Sequence, residues 1–186
     1  MPPRPQQPPR PRFLTGVAIA WFLAGLFMIA YAVQMLPTLF GDEPMSRQQF
    51  DAFFGPQNDY DAILAKSPGL YGWRTMWAIL TPLHVVAAIL AWRGAFELLQ
   101  SRRRALKWLT ASGGLATVTI LVSWTLGSAI LTKIAHSGFD FPLPPEVDGA
   151  WRATAWINAV LQATPAVVLV RVTWMKRVRD GLTNAR

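Results

Sequence analysis

Residues 13–36, FLTGVAIAWFLAGLFMIAYAVQML, run for 24 positions without an Asp, Glu, Lys or Arg and stop at Pro37. At about 1.5 Å per helical residue such a run spans about 36 Å, enough to cross a hydrocarbon core of about 30 Å. An amphipathic helix of a soluble domain would interpose polar residues every few positions, and this block does not. It therefore reads as a membrane span. Ala30-Tyr31-Ala32 offers a small-residue cleavage site, but the apolar run before it exceeds the roughly 7–15 residues of a signal core. The expectation is an uncleaved first helix.

Three further blocks lie downstream. Residues 75–92, TMWAILTPLHVVAAILAW, sit between Arg74 and Arg93, residues 108–132 between Lys107 and Lys133, and residues 153–170 between Arg152 and Arg171. Each is long enough to span, at about 27–38 Å. The expected fold is an all-α membrane protein, an antiparallel four-transmembrane-helix bundle. Residues 1–12, MPPRPQQPPRPR, are half Pro and predict a disordered cytoplasmic tail, with a Pro-x-x-Pro spacing that also suits a polyproline ligand. The four-span domain then occupies 13–186, with outer loops 37–74 and 133–152, a cytoplasmic loop 93–107 and a C-tail 171–186.

Charge gives the orientation. The N-tail, the 93–107 connection and the C-tail hold 13 of the 18 Lys and Arg, whereas the other two connections hold five of them and eight of the ten acids. Cytoplasmic loops carry the basic excess, so both termini are expected inside. The formal charge of +8 is thereby explained through topology and anionic headgroups, without nucleic acid. Charged residues are only 15% of the chain, against about 25% in soluble domains. The absence of Cys removes disulfides, thiolate metal sites and cysteine nucleophiles.

The 37–74 loop is not featureless. Ser46-Arg47-Gln48-Gln49 predicts a capping box opening a short helix with Phe50, Phe53 and Phe54, ended by Gly55-Pro56. Asp61 to Lys66 predicts a further turn or two. Three phenylalanines on the water side need cover, supplied either by the bundle beneath or by another subunit docking on them. The second outer loop carries the stiff turn Phe141-Pro142-Leu143-Pro144-Pro145.

Within the spans, His84 is the one side chain that titrates near neutral pH. Thr81, His84, Ala88, Ala91 and Ala95 share one helical face by spacing, as do Ser112, Ala116, Thr119, Ser123 and Gly127. Thr154, Asn158 and Gln162 make a stripe on the fourth span, and Gly16, Ala20 and Ala24 one on the first. Small and hydrogen-bonding residues drive helix association in lipid, so all four stripes are expected to point inward. His84, Ser123 and Gln162 each lie ten residues from a flanking base, about 15 Å deep, which predicts a polar layer of His84, Ser123, Asn158 and Gln162.

Two uses of that layer stand out: interhelical hydrogen bonding, or a ligand site in which His84 holds a haem, another pigment or a quinone carbonyl. A bis-histidine haem needs a second histidine at that depth, and His136 lies beyond Lys133. His136 with Asp140, Glu146 and Asp148 has no metal-ligand spacing. A Ser123–His84 dyad lacks any recognisable oxyanion site, and no G-x-S-x-G, H-E-x-x-H or phosphate-binding loop occurs. The expected role is a non-enzymatic accessory, assembly or scaffold subunit of a bacterial cytoplasmic-membrane complex. Its partners would be the bilayer and other membrane subunits or further copies of itself. The alternatives are a cofactor- or quinone-binding electron-transfer subunit using His84, and a small-solute carrier or channel.

Overall fold

The first apolar block becomes α1 (Arg12–Gln34), which breaks where Pro37 removes a ladder N–H. Met35 stays in the helical region and leads into α2 (Leu36–Phe40), closed by Gly41, whose N–H donates to the Pro37 carbonyl at 2.8 Å. The structure is a computed structural model that describes residues 12–67, 69–138 and 145–183. The tail up to residue 11, Asp140, the Phe141-Pro142-Leu143-Pro144 turn and residues 184–186 lie outside the described residues.

Beyond α2 come α3 (Arg47–Phe54), α4 (Tyr60–Lys66), the three long helices α5 (Gly69–Leu99), α6 (Arg104–Gly138) and α7 (Pro145–Thr173), and the short α8 (Lys176–Thr183). Four helical segments are long and apolar enough to cross a membrane, and no strand occurs among the described residues. The chain is thus all-helical and of multi-pass membrane type.

The long helices overrun the apolar blocks. Apolar length measures only what lipid covers, whereas a helix continues as long as its residues favour it. α5 carries Arg74, Arg93 and Glu97 inside its bounds, and long basic side chains there keep their heads polar while their stems stay apolar. Arg74 donates to the Leu39 carbonyl at 2.8 Å, Arg93 lies 4.4 Å from the Trp108 ring centroid, and its Nε is 3.8 Å from Glu97 Oε1. The connection expected over 93–107 shrinks accordingly to the few residues between α5 and α6, turned by Ser101 at φ 56°. In the C-tail, α8 returns Val178 and Leu182 to a cluster with Leu14, Leu98 and Leu109.

α5 is the centre of the arrangement. It packs on α1 and on α6, α6 carries α7, and α1 touches α7 only sparingly. Ala87, Ala88, Ala91 and Ala95 are fully buried, and small side chains there let Ser112 on α6 donate to the Ala87 carbonyl at 2.7 Å. The stripes on α5 and α6 therefore face inward as expected: Thr81, His84, Ser112, Thr119 and Ser123 are all buried.

The other two stripes do not. On α1, Gly16 is exposed and Ala20 and Ala24 are half-buried, while Ala18, Trp21, Gly25, Met28 and Ala32 face inward. Trp21 settles that choice, since its indole N–H finds a buried acceptor in Thr173 Oγ1 at 2.8 Å. On α7, Thr154 and Gln162 are exposed and Asn158 half-buried, whereas Ala155, Ala159, Ala163 and Ala166 are buried. The alanine stripe, one position along, allows the closer approach.

Candidate functional site

His84 sits on the inward face of α5, 3% exposed, with Tyr31 of α1 at 5.2 Å and Trp77, about two turns back along α5, at 6.5 Å between ring centroids. Its Nδ1 is 2.8 Å from the Leu80 carbonyl. A carbonyl can only accept, so Nδ1 carries the proton and donates, and the lone pair of the neutral ring is on Nε2. Above it on the same face stand Trp73, Trp77 and Thr81. All are buried, and their indole N–H groups and hydroxyl meet no partner among the described residues. The aromatic neighbours were not legible in the sequence, because nothing in the spacing of α1 against α5 sets Tyr31 beside His84.

The expected polar layer does not close. His84 makes no hydrogen bond to Ser123, Asn158 or Gln162. Ser123, buried on α6, donates to its own helix at the Ile120 carbonyl, 2.8 Å. Gln162 accepts from Trp124 Nε1 at 3.0 Å on the exposed side of α7. Asn158 makes no hydrogen bond among the described residues. Equal depth put the four residues at one level, but depth says nothing of the direction in which each helix presents them. A Ser123–His84 dyad is likewise absent from this arrangement, with each side chain held by its own helix. Thr164 donates to Val160 rather than to the Leu161 carbonyl that Pro165 frees.

The segment between α2 and α5 folds as a cap on the bundle. Ser46 Oγ accepts from the Gln49 N–H at 3.3 Å, as the capping box predicts for α3, and Asp59 caps α4. Phe50 is fully buried, with Phe54 and Tyr60 each 5.0 Å away, and Phe54 meets Trp151 of α7 edge-on at 6.1 Å. Only Phe53 keeps a face outward, 38% exposed, with its ring against Trp73. A docking surface of Phe50, Phe53 and Phe54 together is therefore not available: helical spacing turns Phe50 and Phe54 onto the bundle. Tyr60 donates to the Met45 carbonyl at 2.8 Å, and burial, then the negative charge of Glu43, push its phenol above the ordinary value of 10.

A cavity of about 460 Å³ opens beside Gly69, Gly72, Ile130, Lys133 and Ser137. Gly72 is twelve residues before His84, about 18 Å along α5, so that space is separate from the histidine. Among the described residues no three His, Asp or Glu side chains gather as metal ligands; of the outer-face group considered above, Asp140 and the side chain of Glu146 lie outside them. No protein-family model matches this chain, and no curated protein or solved structure does either.

Proposed function

We propose that this multi-pass protein is a non-enzymatic accessory, assembly or scaffold subunit of the bacterial cytoplasmic membrane. Its four spans run antiparallel, with both termini in the cytoplasm. The observation that carries this reading is how the intramembrane polar groups are used. His84 and Ser123 hydrogen-bond within their own helices and Ser112 bonds the neighbouring backbone, so these three side chains do not converge on a common space. What the molecule offers instead is surface. Ile157, Val160, Leu161 and Val167 of α7, with Phe22, Leu23 and Phe27 of α1, stand exposed along the spans. Orientation rests on the basic excess at 93–107 and both tails. Reporter fusions after Gln100 and after Arg186 are expected to read cytoplasmic, and a fusion near Asn58 external; a cytoplasmic Asn58 would reverse the arrangement.

A second reading, an electron-transfer subunit with a haem, pigment or quinone at His84, draws support from one feature. An Nδ1–H held by a backbone carbonyl is how ligating histidines are commonly oriented, with Nε2 left for the ligand. An absorption spectrum of the protein in mild detergent separates the two readings. The accessory role predicts a colourless protein that co-purifies with membrane subunits, with His84→Gln nearly silent. A pigmented protein bleached by His84→Gln would replace it with the second reading.

A further inference from the structure

α7 carries a seam that is left largely open by the described residues. Thr154, Asn158, Leu161, Pro165 and Val168 follow one another at alternating steps of 4 and 3, which lines them along one narrow stripe. Leu161 is 63% and Val168 50% exposed, Thr154 and Pro165 are exposed, and Asn158 is half-buried. Asn158 lies one residue from the middle of Pro145–Thr173, the depth at which lipid offers no hydrogen-bond partner, and its carboxamide meets none among the described residues. One turn on, Gln162 uses its Oε1 on Trp124 and keeps its amide N–H groups free. Pro165 leaves the Leu161 carbonyl without its ladder donor, one more acceptor on the same stripe.

We propose that a second copy of this chain docks here, two α7 helices packing about a two-fold axis parallel to the membrane normal. Such an axis sets each residue opposite itself at the same depth, so the side chain at the centre must complement itself. A carboxamide does, with one carbonyl to accept and one NH2 to donate, whereas a charged group would repel its own image. Residues 153–170 contain no charge that would call for a partner of opposite sign. A single Asn in a largely apolar seam is also what fixes register in two-stranded helical pairs, and the one other hydroxyl here, Thr154, is spent on its own helix at the Ala150 carbonyl. The inference rests on the accessory-subunit reading only in that both work through helix contacts.

The chain has no cysteine, so single-Cys variants of the full-length protein in native membranes report without background. Oxidation of Asn158→Cys, Leu161→Cys or Val168→Cys is expected to give an adduct of two 20.7 kDa chains. Val160→Cys and Val167→Cys, on the opposite side of α7, are expected to give none. In the Cys-free protein, association measured by in-membrane energy transfer is expected to weaken about tenfold for Asn158→Leu and to persist for Asn158→Gln. No adduct at any seam position, equal adducts on both faces, or unchanged association in Asn158→Leu overturns the proposal. An adduct of another mass overturns it too, while leaving the accessory role standing.

Discussion

Gly113 and Gly114 are neighbours in sequence on α6, yet the structure gives them opposite sensitivity to a single added methyl. A Cβ at Gly113 would fall onto a methyl of Val170 on α7 and lie 3.1 Å from the Trp21 ring of α1; at Gly114 it would meet nothing within 4 Å. Replacing either glycine by alanine raises helix propensity by about 0.8–1.0 kcal/mol. That gain is common to both variants, so their difference in stability isolates the clash. Val170 is β-branched and stiff about χ1, and Trp21 is held by its hydrogen bond to Thr173, so neither yields without moving α1 or α7. Overpacking of this kind costs about 1–3 kcal/mol. Gly113→Ala is therefore expected to be about 1–3 kcal/mol less stable than Gly114→Ala, which itself equals or exceeds the parent. Reversible unfolding in mixed detergent micelles, followed by circular dichroism and tryptophan fluorescence, measures the difference. Val170→Ala in the Gly113→Ala background is expected to recover most of the loss, so that the pair is less than additive. Equal stability of Gly113→Ala and Gly114→Ala would refute the contact between α1, α6 and α7 at this level.

The cap of α3 and α4 gives two further predictions. Phe50→Ala empties a fully buried site and is expected to destabilise the cap by about 3–5 kcal/mol, opening residues 41–67 to added protease in the detergent-solubilised protein. Phe53→Ala, partly exposed already, is expected to leave the digestion pattern unchanged, and equal sensitivity of the two would contradict the inward turn of Phe50. Alkaline pH should loosen the same region. The Tyr60 phenol is raised in the fold by burial and by Glu43, so its contribution is complete below the ordinary value of 10 and is lost as pH rises through the raised folded value. An ultraviolet tyrosinate titration is expected to show a late-titrating component tied to protease sensitivity, and Tyr60→Phe is expected to abolish that link.

Four apolar blocks, one between Arg12 and Pro37 and three bounded by Arg74, Arg93, Lys107, Lys133, Arg152 and Arg171, are enough to read the spans, because lipid enforces composition over a fixed thickness. Helix ends were not legible in the same way: the blocks mark where lipid stops, and α5 runs on through Arg74 and Arg93 with both side chains finding partners at the boundary. α8 was missed because only Val178 and Leu182 signal it, one turn apart, and two residues do not establish a period. The inward stripes on α5 and α6 were readable because each of those helices is enclosed by two neighbours, so its small and polar residues have one place to go.

α1 and α7 show why the same rule fails at the edge of a bundle. Each has one principal neighbour, which buries one narrow face and leaves the rest free. Two stripes then compete on each helix, and the sequence ranks them by polarity when the fold ranks them by approach. Trp21 draws α1 round by its need for the Thr173 hydroxyl, and Ala155, Ala159, Ala163 and Ala166 draw α7 onto α6. The polar row of Thr154, Asn158 and Gln162 is displaced outward as a consequence, to a depth where its amides have no solvent. Gln162 still makes an interhelical hydrogen bond, to Trp124 of α6, whereas Asn158 makes none among the described residues. Polar side chains in the middle of a span are costly unless paired, so the outward placement of Asn158, a residue expected in the interior, is what motivates the proposed pairing with a second copy.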